Sequence, residues 1–263
     1  MQAENVIKHI VNWMSAYATN ANMKGFVVGV SGGIDSAVTS ILCAETGLEV
    51  LCIEMPIHQD EKQVTRAQEH IKQLKARFPN VKNVKVDLTP VFENFKAKAP
   101  IKSTESLELS LANTRARLRM TSLYYYAGAY HYLVAGTGNK VEDFGIGFFT
   151  KHGDGGVDLS PIADLLKSEV YKIGDFLKIS ESILKAAPTD GLFGDNRNDE
   201  DQIGASYDEL EWAMEMTKNN KTASDFEGRL LEVFNIYTRL NKNNKHKIIP
   251  IPVCKIPDNL KKK

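Results

Sequence analysis

"KGFVVGVSGGIDSAVTSILCAET", residues 24–46, decides the fold. Residues 24–30 are a short apolar, β-branched run that predicts a strand. From Asp35 onward, Ala37, Val38, Ile41 and Leu42 follow helical spacing, and Gly47 stops the helix. Between the two, Ser31, Gly32 and Gly33 form a turn at a helix N-terminus. Consecutive backbone N–H groups can converge there on an anion, and small residues let phosphate oxygens approach the backbone. Ser31 and Ser36 add hydroxyl donors.

No lysine follows the glycines, so this is not the phosphate loop G-x-x-x-x-G-K-[ST], nor is it G-x-G-x-x-G. A turn serving only tight strand-helix packing is the plain alternative. Asp35 argues against it. A carboxylate beside polyphosphate repels it unless Mg²⁺ lies between them, in which case the aspartate is a cation ligand.

Outward from the loop the pattern repeats. "LEVLCIEMPI" (48–57) is too continuously apolar to have a solvent face, which predicts a strand in a buried parallel sheet. A helix near 61–77 leads to a strand at 81–88, and a longer helix near 107–131 leads to a strand ending in a glycine turn at 132–139. Four such units predict an α/β fold, a doubly wound, mostly parallel sheet with helices on both faces, in a single domain over 1–263. In such sheets ligands bind beyond the carboxyl ends of the strands, so Gly29–Gly33 and Gly136–Gly138 are expected to face one crevice. Helices are expected again near 206–217 and 223–240, before a basic, proline-punctuated tail.

The 263 residues are 43% hydrophobic and 25% charged, enough for a sizeable core. Thirty-three basic residues balance thirty-three acidic ones, so no global field draws the chain to nucleic acid or to an anionic membrane, and any anion site is local. Cys43, Cys52 and Cys254 lack metal-ligand spacing and read as residues of a reducing cytoplasm. Residues 5–18 form an amphipathic helix, neither a signal peptide nor a membrane span.

S-G-G-x-D-S after an apolar strand resembles the pyrophosphate loop of the N-type ATP pyrophosphatases, which split ATP between the α and β phosphates. "GFFTKHGDGGVDLSPIADLLKSEVY" (147–171) resembles the central signature of the ammonia-dependent NAD⁺ synthetases, F-F-T-K-x-G-D-G-x-x-D followed by P-x-x-x-L-x-K. Matches at "NTRARLRM" (113–120), "GTGNKVE" (136–142), "PTDGL" (188–192) and "HK" (246–247) extend the resemblance over residues 4–250.

The resemblance implies that deamido-NAD⁺, ATP and ammonia yield NAD⁺, AMP and pyrophosphate through an adenylate. A GMP-synthetase-like adenylating amidotransferase is the alternative. The resemblance also implies that Gly29, Val30, Ser31, Gly32, Gly33, Ile34, Asp35 and Ser36 cradle the ATP phosphates, and that Thr137, Lys167 and Thr189 make further ATP contacts. Asp35 and Glu142 are the implied Mg²⁺ ligands. Arg117, Lys151, Asp158, His246 and Lys247 are assigned to the deamido-NAD site, with Arg115 and Arg119 able to share the work of Arg117. Asp154 is expected to position or deprotonate ammonium, although a turn role is an alternative. A homodimer is implied as well.

Two departures stand out. Many family members read G-T-D-H-A where this chain reads Gly136-Thr137-Gly138-Asn139-Lys140, so an acidic residue and a histidine are missing. "PTDGL" replaces the commoner P-T-A-D-L, which moves a carboxylate to Asp190. With the first βα unit starting near residue 24, no glutaminase domain is expected, and free ammonia is the expected nitrogen source.

Overall fold

A computed structural model describes residues 1–101, 104–189 and 198–261. Four strands, β1 (Gly25–Gly29), β2 (Glu49–Glu54), β3 (Val81–Lys85) and β4 (Tyr132–Val134), pair in the order β3-β2-β1-β4, every pair parallel. The chain builds outward from β1 to β3 and then returns to the other side of β1. The order therefore reverses between β1 and β4, the position at which doubly wound sheets open a crevice.

Alternation along the strands explains why both faces are covered. Phe26, Val28, Val50 and Cys52 point to one face, where they pack with α1 (Ala3–Asn20), α2 (Ile34–Glu45), α3 (Glu61–Arg77) and α6 (Lys167–Phe176). Val27, Leu51, Ile53 and Val134 point to the other, against α4 (Thr89–Lys98) and α5 (Leu107–Tyr130). Burial on both faces is what the unbroken apolar runs demand. In α1, Ile7, Ile10 and Met14 are buried, and no described helix is long and apolar enough to cross a membrane.

A third cluster lies beyond the sheet. Val141 and Ile146 of a π-helix (Val141–Ile146) pack with Leu210 and Ala213 of α9 (Tyr207–Lys218) and Val233 and Tyr237 of α10 (Gly228–Ile248), after the short α7 (Glu181–Leu184) and α8 (Asp199–Ile203). Wide π turns recur at functional sites. This one is held at both ends. Asn139 Oδ1 accepts from the N–H groups of Val141 and Glu142, and Gly147 ends the π-helix in the left-handed region.

The expected boundaries shift in four places. β2 ends at Glu54, β3 at Lys85 and β4 at Val134, sooner than their apolar runs, and α10 spans Gly228–Ile248 where 223–240 was expected. His246 and Lys247 therefore stand in the last turn of a helix rather than in the tail, where the positive charge of Lys247 complements the helix dipole.

Candidate active site

At the carboxyl ends of β1 and β4 lies a cleft of about 280 Å³. The chain leaves β1 and turns at Gly32, whose φ of +84° lies in the left-handed region and whose absent side chain would meet the Gln63 carbonyl oxygen at 2.6 Å. Any other residue there would be strained and would push α3 away. The loop is tied to itself. Ser36 Oγ donates to the Gly33 carbonyl at 3.0 Å and accepts from Ser31 N–H at 3.2 Å, while Gly33 N–H donates to Ser31 Oγ at 3.3 Å. The first-turn N–H groups of α2 have no partner within the helix by construction, so they are free to meet an anion.

Asp35 follows in the first turn of α2, and its charge is met from across the cleft. Lys167 Nζ, at the start of α6, lies 2.6 Å from Asp35 Oδ2 and 2.9 Å from Glu142 Oε1. The Lys167 side chain is only 4% exposed, and it lies 4.7 Å from the Tyr207 ring centroid. Tyr207 donates its hydroxyl to Glu142 Oε1 at 2.6 Å, and Asn139 Nδ2 donates to Asp35 Oδ1 at 3.1 Å. Burial alone would lower the Lys167 pKa, but the two carboxylates outweigh it and hold the amine firmly protonated. Burial raises Asp35, with Lys167 opposing. Glu142, which burial would also raise, is held below the usual range by Lys167 and the Tyr207 hydroxyl. Two carboxylates share one ammonium at the floor.

No group of three or more His, Cys, Asp or Glu side chains among the described residues is arranged to hold a metal ion, so the protein alone forms no closed metal cage. Two carboxylates in an open cleft suit a hard cation whose remaining ligands are phosphate oxygens and water, the usual mode for Mg²⁺.

Gly29, Val30, Ser31, Gly33, Ile34, Asp35, Ser36, Thr137, Glu142, Asp154, Lys167 and Thr189 all line this cleft. Asp154 accepts the Thr150 N–H at 2.9 Å and so closes a turn as well. It keeps solvent access, yet partial dehydration in the concave wall, with Glu142 nearby, pushes its carboxyl up to about 6. Gly32 lies behind the lining. Asp190 lies outside the described residues.

The remaining residues assigned to the substrate gather elsewhere. Arg117 Nη2 donates to the Lys151 carbonyl at 3.3 Å, Lys151 Nζ to the His246 carbonyl at 2.6 Å, and Lys247 Nζ to the Phe149 carbonyl at 2.7 Å. Arg117, Lys151 and Lys247 thus form one cationic patch, with His246 beside them, where α5, the 147–154 segment and the end of α10 meet. Asp158 is not part of it. Its carboxylate accepts the Val134 N–H at 2.8 Å and the Tyr124 hydroxyl at 3.0 Å, which clamps β4 to α5.

The three arginines of α5 separate, because residues two apart on a helix point in different directions. Arg119 enters the cleft wall, donating to the Met55 carbonyl at 3.0 Å and to Gln59 Oε1 at 2.8 Å. Arg115 lies 4.4 Å above the Phe92 ring. Sequence reasoning missed Tyr207 and the tying role of Asn139. It also missed Glu54, which lines the cleft at 6% exposure with Oε2 lacking a hydrogen-bond partner. Alternation along β2 could have marked Glu54, a carboxylate within a buried run; Tyr207 left no such signal.

The sequence model of the family described as NAD synthase matches residues 6–250. The chain is 37% identical over 212 residues to the NH(3)-dependent NAD(+) synthetase of Mesoplasma florum, covering 80% of this chain and 84% of that one. It is 33% identical over 249 residues to the synthetase of the same name from Methanocaldococcus jannaschii, covering 93% and 94%. Among solved structures, the NMN synthetase of Francisella tularensis superposes with a TM-score of 0.84 at 31% identity over 97% of this chain and 100% of that one. The NH3-dependent NAD synthetase of Campylobacter jejuni shares the fold with a TM-score of 0.77 at 23% identity, covering 97% and 100%. A family match over nearly the whole chain, carried by a parallel sheet with its cleft at the switch point, means that this chain belongs to the NAD synthase family.

Proposed function

We propose that the cleft catalyses ATP-dependent amidation of deamido-NAD⁺ with free ammonia, a ligase reaction that yields NAD⁺, AMP and pyrophosphate. The observation that carries this reading is Lys167 held between Asp35 and Glu142 beside the glycine loop. A nicotinate carboxylate is a poor acylating group because its oxygen is a bad leaving group. Attack of that oxygen on the α-phosphorus of ATP expels pyrophosphate and forms an acyl adenylate. Ammonia then attacks the acyl carbon and expels AMP.

No protein nucleophile is needed, so the residues bind, orient and neutralise. The loop Gly29–Ser36 and the α2 N-terminus hold the departing pyrophosphate. Lys167 places positive charge beside it, with Thr137 and Thr189 as further contacts. Asp35 and Glu142 would hold Mg²⁺, which would supply charge neutralisation for the polyphosphate. Asp154 accepts the proton that ammonium loses. Arg117, Lys151, His246 and Lys247 hold the dinucleotide through its phosphates, while Asp158 supports the wall behind them. The enzyme is proposed to work as a cytoplasmic homodimer, a setting that the two buried free thiols Cys43 and Cys52 support.

The likeness to the Francisella NMN synthetase favours a second reading, amidation of nicotinate mononucleotide on the same machinery. Pyrophosphate release with ATP, Mg²⁺ and ammonium tests all readings at once. Release dependent on deamido-NAD⁺ supports the first, and preference for nicotinate mononucleotide supports the second. Release with xanthosine monophosphate instead would refute both.

A further inference from the structure

Glu54 closes β2 beside the glycine loop, and neither the proposed chemistry nor the ion cluster at the floor uses it. Ile53, the residue before it, accepts the Val30 N–H at 3.0 Å, and the Glu54 carbonyl accepts the Val86 N–H at 2.8 Å. The backbone is thus held on both sides, one strand spacing of about 4.8 Å from the loop. Alternation turns Glu54 to the face of Val50 and Cys52, where α3 adds Gln63 and Ala67 to the cleft wall. Glu54 lines the cleft and is more than nine-tenths buried, yet its Oε2 meets no hydrogen-bond partner among the described residues. A buried carboxylate oxygen left unpaired is costly, so such an atom in a cleft wall marks the place of a donor from outside the protein.

The surroundings say which donor. Among the described residues no His, Cys, Asp or Glu joins Glu54 in a set that could hold a metal ion, which argues against a bound cation. A carboxylate repels phosphate, so a nucleotide whose phosphates rest on the loop turns an uncharged part toward Glu54. Glu54 follows Gly33 by 21 positions and ends the strand that pairs with β1. In dinucleotide-binding sheets of this kind an acid about 20 residues past the glycine loop accepts from a ribose hydroxyl, because the sugar falls one strand over from the phosphates. The neighbouring polar side chains are already engaged: Gln59 accepts from Arg119 and donates to Gln63, and Arg66 donates to the Gly32 carbonyl. Met55, Met120 and Leu123 in the same cleft offer apolar surface to a base.

We infer that Glu54 is the residue by which the cleft selects a ribonucleotide: its carboxylate accepts hydrogen bonds from the 2′- and 3′-hydroxyls of the ATP ribose while the loop holds the phosphates. The inference deepens the proposed amidation and rests on it for the identity of the nucleotide. Vicinal hydroxyls on one ring can meet both oxygens of one carboxylate. Removing either hydroxyl leaves an oxygen of Glu54 buried without a donor, which is how a site built for a hydroxyl rejects the analogue lacking it.

The test measures binding by titration calorimetry, with Mg²⁺ and either ATP, 2′-deoxy-ATP, 3′-deoxy-ATP or inosine triphosphate. In the natural chain each deoxy analogue should bind about tenfold more weakly than ATP, the scale of a hydrogen bond to a charged group. In Glu54→Gln, which keeps the shape, that preference should shrink, and in Glu54→Ala it should fall to about twofold or less. The preference for ATP over inosine triphosphate should be the same in all three chains. Comparing analogues across variants cancels the effect of sugar pucker on the ligand itself.

Deoxy analogues that bind the natural chain as tightly as ATP would overturn the inference with no variant needed. A ribose preference undiminished in both variants would overturn it as well. So would a change confined to the preference for ATP over inosine triphosphate, which would set Glu54 against the base. Failure of pyrophosphate release with deamido-NAD⁺, alongside a ribose preference that depends on Glu54, would sink the amidation and leave the inference standing. A natural chain that binds no ATP would end both.

Discussion

At the floor of the cleft Lys167 gives its ammonium to two carboxylates, whereas in the patch beyond it Arg117, Lys151 and Lys247 give theirs to main-chain carbonyl oxygens. The first arrangement is buried and nearly closed on itself: Asn139 and Tyr207 hold the two acids from outside. The second keeps its positive charge. No carboxylate pairs with these three cations among the described residues, Arg117 is exposed, and Lys151 and Lys247 are half-buried. A preformed ion cluster holds its geometry before a ligand arrives. Cations that bond only carbonyls are pointed but not neutralised, and so remain available to phosphate. Rigidity for chemistry and open charge for binding are thus built from the same residue types by differences in burial and partner.

The comparison can be broken most severely at Asp35. Asp35→Asn should leave the far-ultraviolet circular dichroism unchanged while pyrophosphate release falls by about a thousandfold, if the floor serves the chemical step through a cation. A variant retaining a tenth of the activity would show that the carboxylate is not needed there. Lys167→Met leaves Asp35 and Glu142 buried and facing each other without a counter-ion. It should cost about 3 kcal/mol of stability in urea unfolding, in addition to turnover.

Substitutions in the patch should behave differently. Lys151→Ala should raise the KM for deamido-NAD⁺ about tenfold with kcat and stability little changed, and the affinity of the natural chain should weaken with added salt. A loss of stability like that of Lys167→Met would erase the distinction between the two regions.

Asp154 reports on both regions at once, because burial raises its pKa first of all, Glu142 adds to that rise and Lys247 opposes it. Its carboxyl titrates at about 6, above the ordinary 3.8, so below about pH 6 it is protonated and cannot accept a proton from ammonium. kcat should therefore fall about tenfold per pH unit on the acid side. Lys247→Ala removes the lowering charge and should move that limb to higher pH. An unmoved limb would place the proton acceptor elsewhere.

Much of the site was legible because it is local. The loop after β1 and the start of α2 are contiguous, so Asp35 and Ser36 could be placed from spacing alone. Lys167 and Glu142 were named through motif resemblance, but their meeting with Asp35 was not readable, since it spans 132 and 107 positions of chain. Nor could spacing show that Arg115, Arg117 and Arg119 diverge onto an aromatic ring, the cationic patch and the cleft. The change from G-T-D-H-A to G-T-G-N-K read as a loss. In space Asn139, fully buried, ties Asp35 to the π-helix.

By itself the sequence determined the alternation of strand and helix, the glycine loop with its aspartate, and the family motif over residues 147–171. Each is set by backbone preferences and side-chain periodicity within a few turns of chain. Only the tertiary structure decided which charges neutralise one another and which stay open. That outcome depends on burial and on partners brought together across the switch point of the sheet, where electrostatic interactions strengthen as water is excluded.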